Sequence, residues 1–143
     1  MKRIFVIAFC VACLWVQQGQ AQPLKSIDDL RDVTSKAMGY VVIGDFAAVF
    51  DTMAPYWPLP ESELDMLSMQ TLSQRNMLGQ RFGDTVGIDM ASEKMVGDSI
   101  MRITYIEKLD VHLIRWVFTF YKPVDEWLVN AIVWDDDIDA LFY

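Results

Sequence analysis

The stretch Ser99–Asp135, SIMRITYIEKLDVHLIRWVFTFYKPVDEWLVNAIVWD, decides the fold. β-Branched and aromatic residues fill it, polar and apolar side chains alternate with period two, and only short breaks interrupt the runs. Three strands are predicted: Ser99 to Leu109, Val111 to Tyr121 and Glu126 to Asp135. The connections at Asp110 and at Lys122-Pro123-Val124-Asp125 are too short for a parallel crossover, so neighbouring strands run antiparallel. Upstream, Asp84 to Ala91 reads as a weaker strand broken by Gly87, and Ser92 to Asp98 as a turn or edge strand.

Before Asp84 the period changes to that of a helix. Ile27, Leu30, Val33, Ala37, Met38 and Val41 form one apolar stripe behind a Ser26 cap. After Gly44 and Asp45, the residues Phe46, Val49, Phe50 and Met53 make the stripe of a short second helix ended by Pro55. A third begins near Pro60, carries Leu64, Leu67, Thr71, Leu78 and Phe82, and stops at Gly83. Helices followed by an antiparallel meander give an α+β fold, with N-terminal helices packed on a curved antiparallel β-sheet.

Side chains alternate across a strand, so turns closing near residues 110 and 124 predict the two faces. One carries Met101, Ile103, Tyr105, Val117, Thr119, Trp127, Val129, Ala131 and Val133. The other carries Arg102, Thr104, Trp116, Phe118, Phe120, Asn130, Ile132 and Trp134, and as the bulkier it is expected to hold the helices. In that arrangement Arg102 and Asn130 flank Phe118 on an apolar face, and buried polar groups there must be hydrogen-bonded. They are the expected anchors of a ligand pocket walled by Trp116, Phe118 and Trp134, or else a structural pair with a helix acid. The opposite face is apolar enough that a homodimer through it is expected unless a helix or tail covers it.

The order of elements resembles the nuclear transport factor 2-like superfamily, a cone of helices and sheet. The likeness rests on the helical start Gly44-Asp45-Phe46-Ala47-Ala48-Val49-Phe50 and on Trp127-Leu128-Val129 opening the last strand. It implies a pocket between helices and sheet. The superfamily includes isomerases, dehydratases and cyclases as well as non-catalytic binding modules, so the resemblance implies no single activity.

The first residues read as an export signal. Met1-Lys2-Arg3 is basic, Ile4 to Val16 is apolar, and Gly19 and Ala21 are small residues before a cleavage expected after Ala21. The chain of 143 residues has 20 acidic and 12 basic side chains, and losing Lys2 and Arg3 leaves 10 basic ones. Residues 22–143 then form one domain, secreted or periplasmic, with no later membrane span expected. Both cysteines, Cys10 and Cys13, leave with the signal, which excludes a disulfide framework, a thiol nucleophile and a thiolate metal site. The acidic balance argues against nucleic acid as a partner. No cofactor is expected.

Single residues add little chemistry. His112, beside the turn at Asp110, is the one histidine, and no nucleophile motif accompanies it. Asp135 to Asp139 starts like a calcium loop but has Ala140 where glycine is needed. Trp57, stiffened between Pro55 and Pro58, is the candidate partner contact. The leading expectation is a non-catalytic domain binding a small apolar ligand or a protein. The alternatives are an isomerase, dehydratase or cyclase acting on a hydrophobic substrate, or an envelope inhibitor or immunity-type protein.

Overall fold

A computed structural model describes residues 22–143. The export signal predicted over residues 1–21 lies outside the described residues.

Local chemistry sets the helices where the sequence places them. At the start of α1 (Ile27–Val42), the Ser26 hydroxyl accepts from the Asp29 N–H at 3.1 Å while the Asp29 carboxylate accepts from the Ser26 N–H at 2.7 Å. This reciprocal cap satisfies two backbone donors at once. Those main-chain bonds, from Ser26 and Lys25, hold the Asp29 carboxyl below its ordinary value. Asp45 caps α2 (Phe46–Met53) through the Ala48 N–H at 3.1 Å, and Pro55 turns its end into a 3₁₀ turn, Ala54–Tyr56. Helix α3 (Glu61–Phe82) begins after Pro60 and ends at Gly83, whose φ of 88° favours glycine. A Cβ on Gly83 would also collide with the side chain of Asp110, which accepts from the Asp84 N–H at 3.0 Å.

The four strands are β1 (Thr85–Val96), β2 (Ile100–Leu109), β3 (Leu113–Tyr121) and β4 (Leu128–Asp135), in the order β1-β2-β3-β4 and antiparallel throughout. Of the two alternatives for Ser92 to Asp98, the edge strand is the one formed: residues 92–96 continue β1 at the sheet edge, with register irregularities at Thr85/Gly87 and Met90/Ser92. Helices α1 and α2 cover one face of this sheet, which makes the fold α+β.

The two faces differ from the expectation by one register step. Leu109 donates to the His112 carbonyl at 2.8 Å, so two residues, Asp110 and Val111, form the β2–β3 turn instead of one. That single step exchanges the whole of β2. Met101, Ile103, Tyr105 and Glu107 pair with Phe120, Phe118, Trp116 and Ile114 on the helix-facing side. Arg102 and Thr104 turn to the outer side. A bulge between Thr119 and Phe120 does the same to the start of β4: Val129 faces Phe120 in the core and Asn130 is exposed.

The segment after β4 runs between two diagonal corners of the sheet. Asp135 lies opposite Arg115 at one corner of the sheet, and the main-chain oxygen of Tyr143 accepts from Lys94 of β1 near the diagonal corner. Thr104 and Val117 are paired neighbours on this diagonal and are 6% and 7% exposed despite facing outward. The middle of the face through which a homodimer is expected is thus buried within one chain, while Ile100, Tyr121 and Val133 of the same face stay exposed.

Arg115 anchors the tail's root through two bonds to Asp135, Nε to Oδ1 at 2.9 Å and Nη2 to Oδ2 at 2.6 Å. The Arg115 guanidinium, with help from the Asp137 N–H, holds the Asp135 carboxyl below its ordinary value. A depressed folded pKa stabilises the fold fully above the unfolded value of about 3.9 and loses that contribution as pH falls through the folded one. Asp135→Asn is accordingly expected to lower stability by about 1 kcal/mol or less at pH 7. Urea titrations should show its difference from wild type shrinking as the pH falls below the unfolded value of about 3.9.

Candidate functional site

The predicted aromatic walls share one side of the sheet, but the predicted polar anchors do not join them. Trp116 and Phe118 are fully buried on the helix-facing side, with Trp134 half-buried beside Trp116 at 6.0 Å between rings. Arg102 and Asn130, the expected anchors, are both exposed, because the β2 register and the β4 bulge turn them away from that side. Trp57 is 9% exposed and belongs to the core, so it is not displayed for a partner. His112 packs on Phe82 at 4.3 Å, with Nε2 3.5 Å from Asp136. The acids at the end of β4 and beyond it are also engaged: Asp135 with Arg115, and Asp137 as acceptor for the Ala140 N–H. Among the described residues no cluster of three or more metal-ligating side chains forms.

A different polar centre sits between α3 and the sheet. Glu107 of β2 is fully buried, and Arg75 of α3 is 4% exposed. One Glu107 oxygen accepts from Arg75 Nη2 and from the Thr85 hydroxyl, the latter at 2.6 Å. Its other oxygen accepts from Trp116 Nε1 at 2.8 Å. Three donors thus secure the carboxylate, as a buried charge requires.

Local pattern explains how these residues reach one another. Glu107 continues the alternation Met101, Ile103, Tyr105 that lines the core side of β2. Arg75 continues the row Leu64, Thr71 on the inward side of α3, with Leu78 and Phe82 following. Thr71 is itself bonded to Trp134 Nε1 at 3.2 Å, and the Arg75 guanidinium lies over the Phe46 ring at 5.2 Å. Phe46 stacks parallel to Trp116 at 6.3 Å. The arginine is therefore held by a carboxylate on one side and an aromatic face on another.

No family model matches this sequence, and no curated protein or solved structure matches it.

Arg75 is incompletely satisfied. Its Nε and Nη1 are buried with no hydrogen-bond partner, and they are the side-chain atoms in that condition among the described residues. An unmade bond of this kind costs about 1–3 kcal/mol. Arg75 also lines a cleft of about 560 Å³, walled by Phe46, Asn76, Gly79, Gln80 and Asp84 among others. Gly79 lies one turn beyond Arg75, and a Cβ built there meets no atom within 4 Å, so the cleft is open at that point. The residue that carries the two unpartnered donors is thus also one that lines the cleft.

Sequence reading missed this centre although part of its signal was visible. An arginine stands in the inward row of the third helix and a glutamate in the apolar row of a strand, with opposite charges. Recognising the glutamate as inward needs the two-residue turn at Asp110, and pairing it with Arg75 needs the tertiary fold.

Proposed function

We propose that this protein is an exported, non-catalytic binding domain whose small polar ligand occupies the cleft beside Arg75. The observation that carries this reading is the pair of buried, unpartnered Arg75 nitrogens next to an open cavity. Small-molecule sites place a few convergent polar groups in a concavity, and such donors have an acceptor to gain. The resemblance to the nuclear transport factor 2-like superfamily, with its many binding modules, and the export signal expected over residues 1–21 support the same reading.

Binding is favoured over catalysis by the state of the buried carboxylate. Glu107 already accepts from Arg75, Thr85 and Trp116, so both its oxygens are engaged by groups of the fold itself and neither is left for a substrate. The carboxyl groups whose ionisation is displaced, Asp29, Glu93 and Asp135, do not line the cleft. The polar character of the wall directs the proposal to a polar ligand in place of an apolar one.

Gly79 provides a test, since it lines the cleft and a Cβ added there meets no atom within 4 Å. Gly79→Ala is expected to stabilise the protein by about 0.5–1 kcal/mol through helix propensity alone. Gly79→Leu should fold equally well yet occupy the cavity. In a thermal-shift screen of small polar metabolites, compounds that raise the wild-type Tm should leave Gly79→Leu unmoved. Equal shifts in both proteins, or none in the wild type, would overturn the proposal.

A further inference from the structure

We infer that the ligand of the Arg75 cleft is uncharged and presents a carbonyl or hydroxyl oxygen to the guanidinium, an inference that rests on the binding reading above. An arginine at the edge of a cavity ordinarily suggests a carboxylate or phosphate. Here the positive charge is already matched by Glu107, which is fully buried and bonded to it. What Arg75 still offers is hydrogen-bond donors, at Nε and Nη1, without net charge.

The rim adds to this. Asp84 is exposed and lines the cleft, and its main chain is pinned to the carboxylate of Asp110, which also stands against Gly83. An incoming anion would meet the Asp84 carboxylate at the mouth, with Asp110 next to it behind Gly83, and a neutralised arginine inside. Burying its charge there would leave it uncompensated. A cation would match the rim but could not accept from the buried donors. A neutral oxygen acceptor satisfies both constraints.

The remaining wall suits such a molecule. Asn76 and Gln80 each carry an amide that donates and accepts, and both are exposed and free to shift. Arg75 Nε and Nη1 each expose less than 1 Å². The acceptor therefore reaches them by moving one of these flexible side chains aside, and it is enclosed once there.

The test uses matched probes on the full protein with NMR detection of the Arg75 Nε–H resonance. Propionamide and glycerol supply a neutral carbonyl and neutral hydroxyls, and propionate is the charged counterpart of the amide. The expected result is a saturable shift with propionamide or glycerol, at least about tenfold tighter than with propionate and insensitive to salt. Whichever of the two neutral probes is tighter tells carbonyl from hydroxyl recognition. The same shift should vanish in Gly79→Leu. Tighter binding of propionate, weakening as salt is added, would overturn the neutral-ligand inference while leaving the cleft as a site. An Arg75 resonance unmoved by all three probes, or moved equally in Gly79→Leu, would overturn the binding reading itself and leave buried water as the partner of these nitrogens.

Discussion

Glu107→Leu is expected to lower the free energy of unfolding by about 3–5 kcal/mol, because it leaves the Arg75 charge buried and unpaired. Glu107 is fully buried and Arg75 nearly so, and water cannot replace the lost carboxylate without opening the packing of α3 on the sheet. Arg75→Met should be similarly costly, since it strands the glutamate. The combination Arg75→Met/Glu107→Leu is the informative protein. Removing both charges abolishes the mutual desolvation problem, so the double variant should be more stable than the sum of the two single losses predicts. It will not return fully to wild type, because Trp116 Nε1 and the Thr85 hydroxyl lose their acceptor. Urea unfolding of the four proteins measures the coupling. Strict additivity would show that the two side chains do not act as a pair.

Phe118→Ala should cost about 3–5 kcal/mol through lost burial and the cavity left behind. Phe118 is fully buried in the centre of β3, its ring edge-on to Tyr105 at 6.0 Å and opposite Ile103 and Ile132 on the neighbouring strands. The same denaturation experiment on Arg102→Ala and Asn130→Ala checks the register. Both side chains are exposed, and surface changes of this sort stay within about 0.5 kcal/mol. A loss of several kcal/mol at Arg102 would restore the arrangement in which Arg102 and Asn130 flank Phe118 inside the core.

That contrast marks what a sequence of this kind discloses. The helices were legible because their signals are local: the Ser26 and Asp45 caps, the Pro55 break, and Gly83 at a positive φ all act within a few residues. The strands were legible for a similar reason, since composition and alternation suffice to place them. Register was not. The choice between a one- and a two-residue turn at Asp110 is made by the pairing of Leu109 with His112, and it decides the face of every residue in β2. The bulge at Asn130 has no local signature at all.

The candidate site was hidden by the same error. With β2 reversed, Arg102 took the place of Glu107 as the charged residue of the core, and a pocket was assembled around it. In the fold, the charge that faces inward is the glutamate, and its partner comes from α3, 32 residues earlier in the chain. The tail over the outer face likewise depends on a long-range contact, Lys94 with Tyr143, between segments of no recognisable affinity in sequence.

The central claim is that the unpartnered donors of Arg75 belong to a ligand site. The most direct measurement is a crystal structure of the protein, purified without denaturation, at a resolution that resolves water. The account predicts a small molecule in the cleft between Asn76, Gly79 and Asp84, with an acceptor oxygen about 2.7–3.2 Å from Arg75 Nε or Nη1. Enclosed waters bonded to both nitrogens, cut off from the cleft by a closed wall of Asn76 and Gln80, would contradict it.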